Sequence, residues 1–277
     1  MKKFELTAES KINIFGKKLF RIKALISFGD VEEGETGGWI EKEENLEQSS
    51  GNAWVYGDAE VSGNARVYGN AWVSGNARVS GDAEVSGNAR VYGNAEVYGN
   101  ARVYGNAEVS GDAEVSGNAW VSGNARVSGD AEVSGNARVY GNAEVYGNAW
   151  VYGNAEVSGN ARVYGNAEVY GNAWVYGNAE VSGNAWVYGN ARVSGDAEVS
   201  GNADYTTIHG FGTQFRTTTF FQCEDKQIRV SCGCFLGTIP EFREQVKNTR
   251  EGKIAEEYLM IADLMEKHFV KEKESGE

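Results

Sequence analysis

Proline occurs once in these 277 residues, at Pro240, and histidine twice, at His209 and His268. With 37 glycines, most of them spaced by six rather than three, this excludes collagen-like and polyproline chains. Between Gly51 and Ser200 there is no His, Cys or Lys. A nucleophile in that stretch would have only carboxylates to activate it. No apolar run reaches the roughly 20 residues of a membrane helix. Met1-Lys2-Lys3-Phe4-Glu5 leads into alternating polar residues rather than a signal-peptide core, so a cytoplasmic protein without membrane contact is expected. Cysteine is scarce, and its odd count of three suits free thiols in a reducing compartment. Cationic side chains are outnumbered, with 26 Lys and Arg against 39 Asp and Glu. The resulting net charge of −13 argues against direct nucleic-acid binding.

What is present is a phrase. From Gly51 to Ser200, Gly-[Asn/Asp]-Ala-[Arg/Trp/Glu]-Val-[Tyr/Ser] repeats twenty-five times without insertion or deletion, and a worn copy follows at Gly201–Thr206. A short fixed period makes one unit stack on itself instead of folding around a central core. In Ala-x-Val-[Tyr/Ser] the side chains alternate, so Ala and Val point inward and the variable residue and Tyr/Ser outward. Gly and Asn/Asp, which tolerate positive φ, close each phrase with a corner. Coils stacked about 4.8 Å apart would put Val on Val and Ala on Ala along a narrow interior. Each buried Val contributes on the order of 1.5 kcal/mol or more, against the ordering entropy of a glycine-rich chain.

The frames Val55-Tyr56-Gly57-Asp58-Ala59-Glu60 and Val67-Tyr68-Gly69-Asn70-Ala71-Trp72 resemble the hexapeptide repeat of left-handed β-helix proteins, with an aliphatic residue first and a small residue fifth. Tyr or Ser in second place departs from that pattern. The resemblance implies a mainly β, single-stranded, triangular, left-handed solenoid with eighteen residues per turn. The repeats then make about eight coils and a prism roughly 40 Å long. The segment from Phe28 to Ile40 resembles the entry of uncharacterised bacterial and prophage hexapeptide-repeat proteins, some labelled acyltransferases on fold alone. Family acyltransferases use a His base and a looped-out segment, and neither has a counterpart in these hexads.

Residues 1–50 read as an N-terminal β cap over the exposed edge of the first coil. Phe4–Leu6, Ile12–Ile14 and Leu19–Ile26 are predicted strands, with a turn at Phe15–Lys18; Ile40 and Leu46 already keep the six-residue rhythm. The solenoid is expected over 51–206 and a ββαα module over 207–277. In that module, strands at Thr217–Cys223 and Ile228–Phe235 flank Glu224–Gln227. Thr238 and Glu241 form a capping box around Pro240 that opens a helix to about Asn248. Ile254, Tyr258, Ile261, Met265 and Phe269 mark a second helix, and Lys271–Glu277 is a charged tail. The module resembles the C-terminal piece of prophage proteins that share its Ser-Cys-Gly-Cys-Phe element.

At a period of eighteen the outer positions form three columns. Two of them, Trp54 to Glu198 and Arg66 to Arg192, mostly alternate in sign, which makes self-complementary charge ladders. The third stacks Glu96, Glu114 and Glu132, with Asp112 and Asp130 at nearby corners, and suggests a site for a cation or basic partner. Above that strip, Trp150/Tyr152, Glu168/Tyr170 and Trp186/Tyr188 make three consecutive aromatic steps, a platform suited to a sugar, a base or a protein. Cys232 and Cys234, with Cys223 and His209, are weak zinc candidates, because strand geometry separates Cys223 from Cys232 by on the order of 13 Å. Cys232 and Cys234 share a face with Ile228 and Val230 and are expected to be buried under the helices. Gly210-Phe211-Gly212-Thr213 beside Arg216 is a short candidate anion cradle.

These readings favour a non-enzymatic, prophage-like scaffold or binding protein with no cofactor, no catalytic residues, and an unknown protein or carbohydrate partner. A trimer of prisms side by side is one assembly open to it. The alternatives are a hexapeptide-repeat acyltransferase using His209 or His268, and an acidic decoy that occupies a nucleic-acid-binding protein.

Overall fold

In the computed structural model, which describes residues 2–269, every hexad folds alike. The variable residue and Val form a two-residue strand, as at Glu84–Val85, and Ala and Val are fully buried through the repeats. Corner glycines hold φ between 59° at Gly57 and 76° at Gly177. Close approach fixes them as firmly as φ does: a Cβ on Gly105 would meet the backbone N and O of Gly123 at 3.0 Å. Asn and Asp do not share the positive φ expected of them, since Phe215 and Lys226 are the non-glycine residues that adopt it. Their role is to stack. Asn88 Nδ2 donates to Asn106 Oδ1 at 2.9 Å, and this step recurs at all three corners.

Besides the bonds between paired strand residues, three backbone bonds per hexad join successive coils in one sense. Glu84, Ser86 and Asn88 donate their N–H to the carbonyls of Ala101, Val103 and Gly105 at 2.9, 2.9 and 2.7 Å. The parallel register is eighteen residues, as in Arg90↔Glu108 and Val91↔Val109. The three walls are sheets of nine, eight and eleven strands, and they correspond to the three columns read from the sequence. There are about nine turns, not eight, because pairing starts ahead of the consensus.

The eleven-strand wall begins with β1 (Phe4–Ile12), β2 (Lys18–Ala24) and β3 (Thr36–Ile40). β3 runs parallel to Glu60–Val61, with Ile40 on Val61, and Leu46 bridges Val67. The two segments expected as separate strands at Phe4–Leu6 and Ile12–Ile14 are one strand up to Ile12; a register shift between Leu6 and Ser10 absorbs the break in alternation. Trp54, at an outward position, is fully buried by this cap, with the rings of Phe4 and Phe28 edge-on at 6.2 and 5.4 Å.

The C-terminal part departs from a simple hairpin. Its sheet has four antiparallel strands in chain order, Tyr205–Phe211, Arg216–Gln222, Ile228–Cys232 and Phe235–Thr238. Arg216–Gln222 is two-faced: Phe221 joins the solenoid core, whereas Phe220 packs into a second core with Phe242, Tyr258 and Met265. That second core is roofed by α1 (Ile239–Thr249) and α2 (Gly252–His268). α1 opens with the expected reciprocal cap, Thr238 Oγ1 accepting from Glu241 N–H and Glu241 Oε2 from Thr238 N–H. The charged tail expected at Lys271–Glu277 lies outside the described residues.

Candidate binding face

The eleven-strand wall brings the predicted aromatic steps together. Its strands pair Glu132↔Trp150, Trp150↔Glu168 and Glu168↔Trp186, each one coil above the last. Two positions on, Tyr152, Tyr170 and Tyr188 stack with ring centroids 4.9 and 5.3 Å apart and planes within 4° and 12°. The Tyr152 hydroxyl donates to Glu168 Oε2 at 3.0 Å, which holds the carboxylate along the ladder. Burial first, then this bond, pushes the Tyr152 phenol up to about 12. Trp150, Trp186 and Tyr188 remain 45%, 47% and 51% exposed.

Neighbours explain why these indoles stay open. Arginine covers two other tryptophans: Arg102 and Arg138 lie 5.5 and 5.0 Å from the Trp120 ring, on the coils before and after it, and Arg90 lies 5.2 Å from Trp72. Trp150 has Glu132 and Glu168 for neighbours, and Trp186 has Glu168, so no guanidinium stacks there. A reading of the columns for charge alone missed these sandwiches, although the order Arg102-Trp120-Arg138 was available at eighteen-residue spacing.

The acidic strip is partly neutralised. Glu96 pairs with Arg78 at 2.7 Å, and Tyr98 donates to Glu114 at 3.0 Å. That leaves Glu114 stacked under Glu132, whose carboxyl is held above its usual range by burial and then by Glu114. On the nine-strand wall the expected ladder forms, with Glu108 3.8 Å from both Arg90 and Arg126.

The zinc candidates do not converge. His209 Nδ1 lies 3.2 Å from Thr217 Oγ1, and the Thr218 hydroxyl donates to Cys232 Sγ at 3.2 Å. Among the described residues no three His, Cys, Asp or Glu side chains group as metal ligands. The thiols also differ from the expected buried pair: Cys232 is half-buried and Cys234 exposed, because a turn at Gly233 (φ 65°) ends the strand between them. Cys223 is the buried one, its thiol pushed up to about 11 by burial.

A repeat model described as the YdcK β-solenoid repeat matches residues 59–75, 95–111, 137–153, 155–171, 161–177 and 185–201. The matched segments cover about a third of the chain and lie within the stacked hexads. Among curated proteins none matches. The similarity therefore extends to the solenoid and is silent on chemistry.

Proposed function

We propose that the chain is a non-enzymatic β-solenoid scaffold that presents its eleven-strand wall to a protein or carbohydrate partner. One observation carries the reading: a three-step tyrosine stack is flanked by two indoles that lack the arginine cover found over Trp72 and Trp120. Flat, rigid aromatic surface presented at coil spacing suits a repeating or extended ligand. Cytoplasmic residence and a prophage origin belong to the same proposal. The latter is supported by the resemblance of the segment from Phe28 to Ile40 and of Ser231-Cys232-Gly233-Cys234-Phe235 to prophage proteins.

A photo-crosslinking residue at Glu168, compared with one at Glu108 on the nine-strand wall, tests the assignment in native cells. Adducts are expected from Glu168 in clear excess and should vanish with Trp150→Ala and Trp186→Ala. Equal yields from both walls would sink the proposal. The acyltransferase alternative predicts calorimetric binding of acetyl-coenzyme A, yet no hexad supplies a His base.

A further inference from the structure

The last coils and the C-terminal sheet border an open cavity of about 620 Å³ at the end of the eight-strand wall. Its chemistry comes from Trp174, Asn190, Arg192, His209, Phe215 and Arg216, and no carboxylate lines it. In a chain of net charge −13 that is a local inversion. Six hexad arginines, including Arg78 and Arg138, sit within ion-pair reach of a Glu one coil away. Arg192 and Arg216 reach no carboxylate among the described residues. Arg192 instead lies 4.8 Å from the Trp174 ring, and its Nη1 donates to the Gly233 carbonyl at 3.4 Å.

Other donors are turned the same way. The asparagine ladder at this corner donates toward higher residue numbers and ends at Asn190, which accepts from Asn172 at 3.3 Å. One coil further on stands Ile208, so the Asn190 amide has no ladder partner ahead of it. By contrast, another corner ends at Asp196, which accepts from Asn178 and has no proton left to offer. With His209 Nδ1 beside Thr217, Nε2 is the nitrogen left for a ligand. Trp174 and Phe215 are 41% and 66% exposed, and Phe215 holds φ 49°, a conformation unusual for a bulky residue.

We propose that this cavity binds a saccharide carrying an anionic group, with a hexuronate unit as its simplest form. The aromatic rings would take the C–H face of the pyranose, the two guanidinium groups the acid, and the Asn172 and Asn190 amides, which both donate and accept, the vicinal hydroxyls. Calorimetry on the full chain tests this with glucuronate, glucose, inorganic phosphate and uridine monophosphate. Glucuronate is expected to bind at least about tenfold more tightly than glucose. Arg216→Gln and Trp174→Ala should each weaken it by about tenfold or more, whereas Trp120→Ala, on the same wall but remote, should not. Both weakened variants alter exposed side chains, and an unchanged circular dichroism spectrum confirms their fold. Equal affinity for glucose, equal affinity for phosphate, tighter binding of the nucleotide, or no saturable heat with any probe would each overturn the assignment.

Discussion

The two ends of the solenoid close the same cross-section with opposite chemistry. Outside the paired strand residues every coil donates its N–H groups forward, so the first coil presents mainly carbonyls and the last mainly N–H groups. The N-terminal cap answers with donors: Lys3 Nζ reaches the Ala53 carbonyl at 3.2 Å, Arg21 Nη1 that of Gly57 at 2.9 Å, and Asn45 Nδ2 those of Gly63 and Ala65 at 3.1 and 2.8 Å. The C-terminal segment answers with oxygens: Thr219 Oγ1 accepts from Arg192 N–H at 3.0 Å, Asn202 Oδ1 from Trp186 N–H at 2.8 Å, and Asp204 Oδ2 from the N–H groups of Ser200 and Gly201 at 2.9 Å. Interior hexads are interchangeable because each finds its partner in the next. The ends are where the sequence has to become particular, since an unpaired buried polar group costs about 1–3 kcal/mol.

The apolar seal is the strongest element at either end. Phe221→Ala should cost about 3–5 kcal/mol, read by chemical denaturation, and Phe4→Ala a similar amount, since both rings are fully buried. A loss below about 1 kcal/mol at either residue would mean that the end is not sealed by packing. Next comes the sign of the caps. Asn45→Asp replaces a donor facing two carbonyls with a carboxylate and should cost about 3 kcal/mol at neutral pH, more than Asn45→Ala. The reverse order would break the donor-acceptor contrast. At the other end, Thr219→Val strands the Arg192 N–H and should cost about 1–2 kcal/mol, with Thr219→Ser close to neutral.

The smallest effect is a matter of reactivity. Cys234 should alkylate readily at pH 8, while Cys223 reacts only when the sheet lifts from the last coil, so Phe221→Ala should expose it. The Cys223 thiol moves from an ordinary 9.0 to about 11, so the folded state keeps a proton that the unfolded chain releases. Its contribution to stability is present below pH 9 and lost as pH rises from 9 toward 11. A stability that rose across that window in wild type and was flat in Cys223→Ala would contradict the burial.

How much of this was legible follows from the same contrast. The burial of Val and Ala could be read from the period alone, whereas the eighteen-residue register and its outward columns came with the resemblance to hexapeptide-repeat β-helices: Glu96↔Glu114 and Arg90↔Glu108 pair one coil apart as it implied. The Trp150–Tyr188 steps followed from that register. The ends obeyed no period. Between Leu46 and Val55 the chain takes nine residues where the hexad takes six, so the extra turn was hidden. Tyr205 and Thr206 read as the tail of the worn copy, yet they open a new sheet strand, Tyr205–Phe211, with Tyr205 opposite Phe221. Gly233 divides what looked like one strand and carries Cys234 out to solvent. Asn at each corner was legible as a turn residue, but its ladder needed the fold to show which atoms face each other.

The parallel stacking of the coils makes the molecule a vector. Two copies stripped of their terminal coverings would continue the parallel stack only head to tail, and the product would be a filament with polarity. The coverings over the first and last coils, within residues 2–50 and 205–269, are thus what closes this otherwise open-ended architecture.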